Sequence, residues 1–540
     1  MSMRVPTVDQ RSYEQVHKAL SINQRGSYGD LSYMPVFRAS ALFYAICGID
    51  VNTRVGFLNY WREKNGISGI GVLVTVRDAQ GVSRVRQYVQ LNDMTGHFDL
   101  HEMLGSNLDF TGSMEVEFFS AEDLKFQFPG ISVFYQTPGG ISYVHSNQRV
   151  YNHAQDKGRG SVLNAWQTGF DVCVNQGAFA FIVNGPTRFA GGRVGLQVVS
   201  SSGSSRHQTI DMPALEPYAT YCWRPESVEG AIAFLGLEPG MCKLDVPLVD
   251  VHLRLAVGHD VVPKSSGVSI LDGVPERWLS VTHSFFDATD HADYFDTGQL
   301  APDVCPAFIP FVLPERLNLE VVLYPIYSLS EMRLSLFGFD KQGTEILKVL
   351  LTDYQTPEAG IRRMNIRDLL AENSKSAVCS LFVLRFDPVE KQRLPSRITY
   401  GLNFYTEKRI GTNISSSAYI APSWGLGARS WKWGAIALLK GASNLINICA
   451  FHNSDKSFLT NAAECTLKIY DRQGLVTQFT YRIANRTSQT LRVETLLEEA
   501  AYAYQPNSIL WYVVESTQPW LDVIGLTVSA QGNVGGDHSF

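Results

Sequence analysis

No stretch of this chain is long and apolar enough to cross a bilayer. The best run, Ala41 to Ile49, is about half of the eighteen or more uncharged residues that a spanning helix needs, and Asp50 follows it. Nor is there a dense cysteine framework. The eight cysteines (47, 173, 222, 242, 305, 379, 449 and 465) are scattered, several sit in apolar contexts, and no C-x-x-C pair occurs, which excludes a disulfide scaffold or a zinc ribbon. Residues Met1 to Leu20 are polar and mixed in charge, without the apolar core of a secretory signal, so the expected location is cytoplasmic with reduced thiols. A surplus of basic residues is missing too. With 46 Lys and Arg against 52 Asp and Glu, the formal charge is −6, a poor match for a nucleic-acid partner. Catalytic signatures are equally scarce. There is no G-x-S-x-G elbow, and Gly139-Gly140 and Gly191-Gly192 lie between apolar alternating segments rather than before a helix, so hairpin turns explain them and a Rossmann or P-loop enzyme is disfavoured.

What is present is strand and turn. From about Tyr33 onward the chain reads as short apolar or alternating runs broken by Gly, Asn, Asp and Pro, the pattern of an all-β protein. Asp78-Ala-Gln-Gly81, Asp340-Lys-Gln-Gly343 and Asp471-Arg-Gln-Gly474 each follow a strand-like run and precede a short Leu-containing segment: Asp99 to Leu104, Asn365 to Leu370 and Arg492 to Leu497. Aspartate opens such a turn by bonding its own backbone, and glycine closes it at positive φ. Ser200-Ser-Ser-Gly203 stands where a second copy of the turn belongs.

Spacing sharpens the repeat. Asp78 to His145 and Asp471 to His538 both span 67 positions (145 − 78 and 538 − 471), which places His145 and His538 in register. Ser200 reaches His283 later, after an insertion, and the same interval from Asp340 lands on Glu407. We therefore expect tandem β-sandwich-like repeats with short helical turns: a lead over 1–32, then units over about 33–152, 165–290, 305–415 and 430–540.

Three His-Ser pairs, at His145, His283 and His538, are candidate ligand-binding residues at equivalent or convergent sites. An imidazole beside a strand end can also do no more than bond neighbouring backbone. Between His283 and Asp296 lie two imidazoles and four carboxylates, so His283, Asp287 and His291 are candidate ligands for a divalent metal ion, the only cofactor the sequence suggests. Trp424, Trp431 and Trp433, in or beside a Gly- and Ser-rich stretch, are candidates for an exposed binding feature; the alternative for any aromatic in a β protein is simply core.

Several segments carry a family resemblance: Gly112 to Phe119, Phe126-Gln-Phe-Pro129, Val144-His-Ser-Asn-Gln-Arg-Val-Tyr-Asn152, Val281-Thr-His-Ser-Phe-Phe-Asp287, Leu323-Tyr-Pro-Ile-Tyr-Ser328 and Val534-Gly-Gly-Asp-His-Ser-Phe540. On these the chain resembles a family of uncharacterised bacterial proteins associated with surface polysaccharide biosynthesis. The resemblance implies a glycan-related setting and supplies no catalytic residues.

Two function classes follow. One is a non-enzymatic scaffold, monomeric or homo-oligomeric, that binds a glycan or a protein of a polysaccharide pathway. The other is a metal-dependent enzyme acting on a sugar or polysaccharide precursor through a His/Asp cluster. Convergent histidines favour the second class, and separated histidines bonded to backbone favour the first.

Overall fold

The computed structural model describes residues 37–539 except 106–107, 121–129, 146–147, 151–166, 173–176, 226–233, 236–239, 249–250, 262–276, 287–293, 296–306, 325–330, 355–360, 372–377, 390–393, 396–397, 407–410, 419–429, 452–461 and 518–520. The lead over 1–32 and Phe540 lie outside them. The expected all-β, multi-unit sandwich-like fold is what the chain adopts.

The first unit defines the plan. Its strands are β1 (Phe37–Cys47), β2 (Asn52–Leu58), β3 (Ile70–Asp78), β4 (Ser83–Leu91), β5 (Thr95–Asp99), β6 (Phe110–Ser120), β7 (Ile131–Thr137) and β8 (Gly140–His145). Two short helices join them, α1 (Tyr60–Asn65) and α2 (Leu100–Leu104). One sheet runs β1-β6-β3-β4 and the other β5-β2-β7-β8, antiparallel throughout. Alternation explains the layering: Ile70, Val72, Val74 and Val76 on β3 are all buried, whereas its hairpin partner β4 is an exposed edge strand.

The same two strand orders recur in strands over 167–283, 307–417 and 430–538. The second unit adds a two-residue strand, Phe285–Phe286, to the edge of one sheet, and its Val251–His252 pairs with Arg149–Val150 of the first. All four hairpins between third and fourth strands are built alike. The Oδ1 of Asp78 accepts from Gln80 N (3.0 Å) and Val82 N (2.9 Å), that of Asp340 from Gln342 N and Thr344 N (both 2.9 Å), and that of Asp471 from Gln473 N (2.8 Å) and Gly474 N (3.0 Å). In the second unit Ser200 stands in for the aspartate, and Gly203 N donates to its carbonyl as Gly81 N and Gly343 N do to Asp78 and Asp340.

The eighth strand is an edge of its sheet in every unit, and the four edges meet. β8 packs on both Trp278–His283 and Val534–His538, and Thr412–Ser417 packs on those same two strands from the other side, closing a four-strand ring. Hydroxyls tie the ring: Ser142 Oγ accepts from Val281 N (3.0 Å), Ser280 Oγ donates to Gly411 O (3.2 Å), and Thr412 Oγ1 donates to Gly536 O (3.4 Å). At the remaining seam Gly535 lies directly on the Ile141 carbonyl, where an added Cβ would stand 1.9 Å from the oxygen. The hydrophobic cores follow the same closure, since Ile524, Leu526 and Val534 of the fourth unit pack into the core of the third.

Candidate metal centre at the junction of the last strands

Counting across each sheet from its helix shows which residues are equivalent. His97, three before α2, pairs with Gly56, Gly56 with Ser132, and Ser132 with His145. In the fourth unit Thr490, three before the helix Val493–Glu499, leads through Asn447 and Ile524 to His538. The second unit gives Cys222, Phe181, Ala256 and His283. In the third, Arg363, three before the helix Ile366–Ala371, leads through Val322 and Gly401 to Ser415. The expected register of His145 with His538 therefore holds. The third-unit counterpart needs correction: Glu407 lies outside the described residues, and the equivalent position is Ser415, because the chain is longer there both between the hairpin aspartate and the helix (340 to 366, against 78 to 100) and between the helix and the seventh strand (366 to 401, against 100 to 132).

The three histidines come together. The ring centroids of His145 and His283 are 4.4 Å apart and those of His145 and His538 4.6 Å, both edge to face. One ring nitrogen from each imidazole lies within 4.8 Å of the other two. His145 and His283 are buried, at 6% and 2% exposure, and His538 is partly buried.

Each ring is held through Nδ1. That of His283 lies 3.1 Å from Ser284 O, that of His538 3.1 Å from Ser539 O, and that of His145 3.0 Å from the Asp537 carboxylate. A carbonyl or carboxylate oxygen accepts only, so each Nδ1 carries a proton, and in the neutral His283 and His538 rings the lone pair sits on Nε2. Holding one nitrogen by a carboxylate or carbonyl while the other ligates is how metal-binding histidines are commonly oriented.

The electrostatics keep the His283 and His538 rings neutral. Burial pushes the His283 imidazole well below its ordinary range, with Arg254, His145 and His538 acting in the same direction. Burial, then His145, lowers His538 to about 4 against the opposing pull of Asp537. Burial would raise the Asp537 carboxyl, but His145 beside it outweighs this and holds it below the usual carboxylate value. Neutral imidazole is the metal-binding form.

A tetrahedral ion with nitrogens at about 2.0–2.1 Å needs them roughly 3.4 Å apart, so the rings must close by about an ångström. Three nitrogen donors suit zinc or another late divalent transition ion better than calcium or magnesium, which prefer oxygen.

The other sequence candidates fare differently. Asp287, His291 and Trp424 lie outside the described residues, so of the proposed metal set only His283 is placed. Trp431 and Trp433 belong to the strand Ser430–Leu438 rather than to a linker. Both are partly buried and pack on the first unit: Trp433 lies 4.9 Å from the Tyr60 ring, and the Lys64 ammonium sits 4.8 Å over Trp431. They join two units. Sequence reasoning missed Asp537 and Ser415. An Asp immediately before the histidine was the available signal for the first; the second needed the ladder.

No protein-family model matches this chain, and no curated protein matches it. Among solved structures it has a remote likeness to a glycoside hydrolase family 32 protein from Bifidobacterium adolescentis, at 10% identity and a TM-score of 0.14 over 93% of this chain and 95% of that one.

Proposed function

We propose that this chain is a non-enzymatic scaffold protein whose sandwiches are locked around one divalent transition-metal ion held by His145, His283 and His538. One observation carries the reading: the three imidazoles converge although each comes from the last strand of a different unit. An ion there cross-links segments far apart in the chain, and its binding free energy becomes stability of the closed ring. Convergence is the outcome expected of the metal-enzyme class; the scaffold reading is kept because two of the rings are also tied to backbone carbonyls just past their strands, as a structural role requires.

The partner class is the one the family resemblance implies, a glycan or a protein of a surface polysaccharide pathway. The test is elemental analysis of the full chain as isolated, paired with melting before and after a chelator. One transition-metal ion per chain, lost with a clear fall in melting temperature, supports the reading. A metal-free chain whose melting ignores added zinc and cobalt overturns it.

A further inference from the structure

We infer that the metal site has a fourth, exchangeable coordination position at the corner of the ring where the third unit contributes Ser415, and that this position takes a small anion or oxygen donor. The inference rests on the metal reading and goes beyond it, because a cross-link alone needs no exchangeable position.

The ring has four places, and the ladder fills them with His145, His283, Ser415 and His538. The seam contacts agree with that register. Ser142, three residues before His145, meets Val281, two before His283; Thr412, three before Ser415, meets Gly536, two before His538. The other two seams match each other likewise: Ser280, three before His283, meets Gly411, four before Ser415, and Gly535, three before His538, meets Ile141, four before His145. Ser415 thus stands opposite His145 on the ring, flanked by the strands of His283 and His538.

A histidine there would complete a four-nitrogen site. Serine is shorter by a whole ring, and its hydroxyl already donates to Asn413 Oδ1 at 2.7 Å. Asn413 Nδ2 in turn donates to Asn403 Oδ1 (2.7 Å) and to the Tyr324 hydroxyl (3.1 Å). Among the described residues the fourth corner is therefore walled by polar groups rather than filled by a ligand. Three neutral imidazoles leave a divalent ion its full double charge, which favours an anion or an oxygen donor in the remaining place. His538, the most exposed of the three rings, marks the side from which such a ligand can enter. Three protein ligands with an open fourth position is the arrangement in which a bound ion can exchange a small molecule.

The test uses the full chain loaded with cobalt(II), whose visible absorption reports its ligands, titrated with azide. The expected result is a saturable, reversible change in the cobalt bands. In Ser415→His the azide response should disappear, and cobalt affinity measured by chelator competition should rise at least tenfold. Ser415→Ala, which leaves the corner open, is the second variant and should keep the azide response. Cobalt bound one per chain with bands indifferent to azide overturns the inference and leaves the metal reading standing. So does a Ser415→Ala protein that binds cobalt but has lost the azide response. Failure of cobalt to bind at all overturns both.

Discussion

Asp537 holds His145 twice. Its Oδ2 accepts from the His145 backbone N–H at 2.6 Å and lies 3.0 Å from the ring Nδ1, across 392 residues of sequence. Asp537→Asn removes the charge that steadies the Nδ1–H tautomer, so metal affinity should fall about 10–100-fold while the metal-free fold survives. Asp537→Ala also leaves a buried backbone N–H without its acceptor, which costs about 1–3 kcal/mol. Chelator competition and denaturant melts separate the two effects; equal metal affinity in wild type and Asp537→Asn would refute the positioning role.

His283→Ala should abolish bound metal. Of the three rings it is the most deeply buried, and two remaining imidazoles make an incomplete site. Elemental analysis checks the loss. Melting adds a second arm: metal-loaded wild type should exceed the variant by more than metal-free wild type does.

Acid should weaken the metal-free protein over a defined window. His538, lowered to about 4, and His283, also lowered, remain neutral in the folded chain at pH values where an unfolded histidine, near 6.5, takes up a proton. Their neutral state therefore gives full stability above about pH 6.5, and that stability is lost as the pH falls from there toward the folded values. Asp537, itself lowered, adds a further loss at still lower pH. Chelator-treated protein melted at a series of pH values should show the decline starting below about 6.5. A flat profile down to about pH 4.5 would contradict the neutral, buried rings.

Gly535→Ala places a methyl 1.9 Å from the Ile141 carbonyl oxygen, a backbone atom that cannot swing aside. Overpacking of this kind costs about 1–3 kcal/mol or more. The seam between the last strands of the first and fourth units must then open, and metal affinity should fall with stability. Unchanged melting of this variant would mean that the two strands are not in contact in solution.

Asp340→Ala tests the turns apart from the centre. It removes an acceptor from two backbone N–H groups at an exposed hairpin and should cost about 1 kcal/mol, with metal content unchanged. Loss of metal in this variant would tie the turn to the ring in a way its position does not suggest.

The repeat was legible because its determinants are local. An aspartate that bonds its own backbone and a glycine at positive φ (+84° at Gly81, +78° at Gly343) identify a hairpin wherever they stand. The equal intervals to His145 and His538 carried the register for the same reason, since no insertion separates turn from strand end in those units. The convergence of three histidines was not legible, because it depends on how edge strands of separate sandwiches meet. Ser415 was hidden by extra residues on either side of the third unit's helix that shift the count. The tryptophans misled because Trp431 and Trp433 begin a strand immediately after a Gly- and Ser-rich run, and their burial comes from Tyr60 and Trp61 far upstream.

A chain that carries the same sandwich four times risks trading its final strand between copies, the intrachain counterpart of domain swapping. The seams impose an address on each strand. Ser142, Ser280, Thr412 and Gly535 occupy one equivalent position, yet only glycine fits where the Ile141 carbonyl closes in. A strand bearing Ser280 or Thr412 would collide there, and Gly535 placed elsewhere would forfeit the hydroxyl that its host seam uses. Misthreaded forms are thus penalised one strand at a time, and the four copies are free to share a topology without being interchangeable.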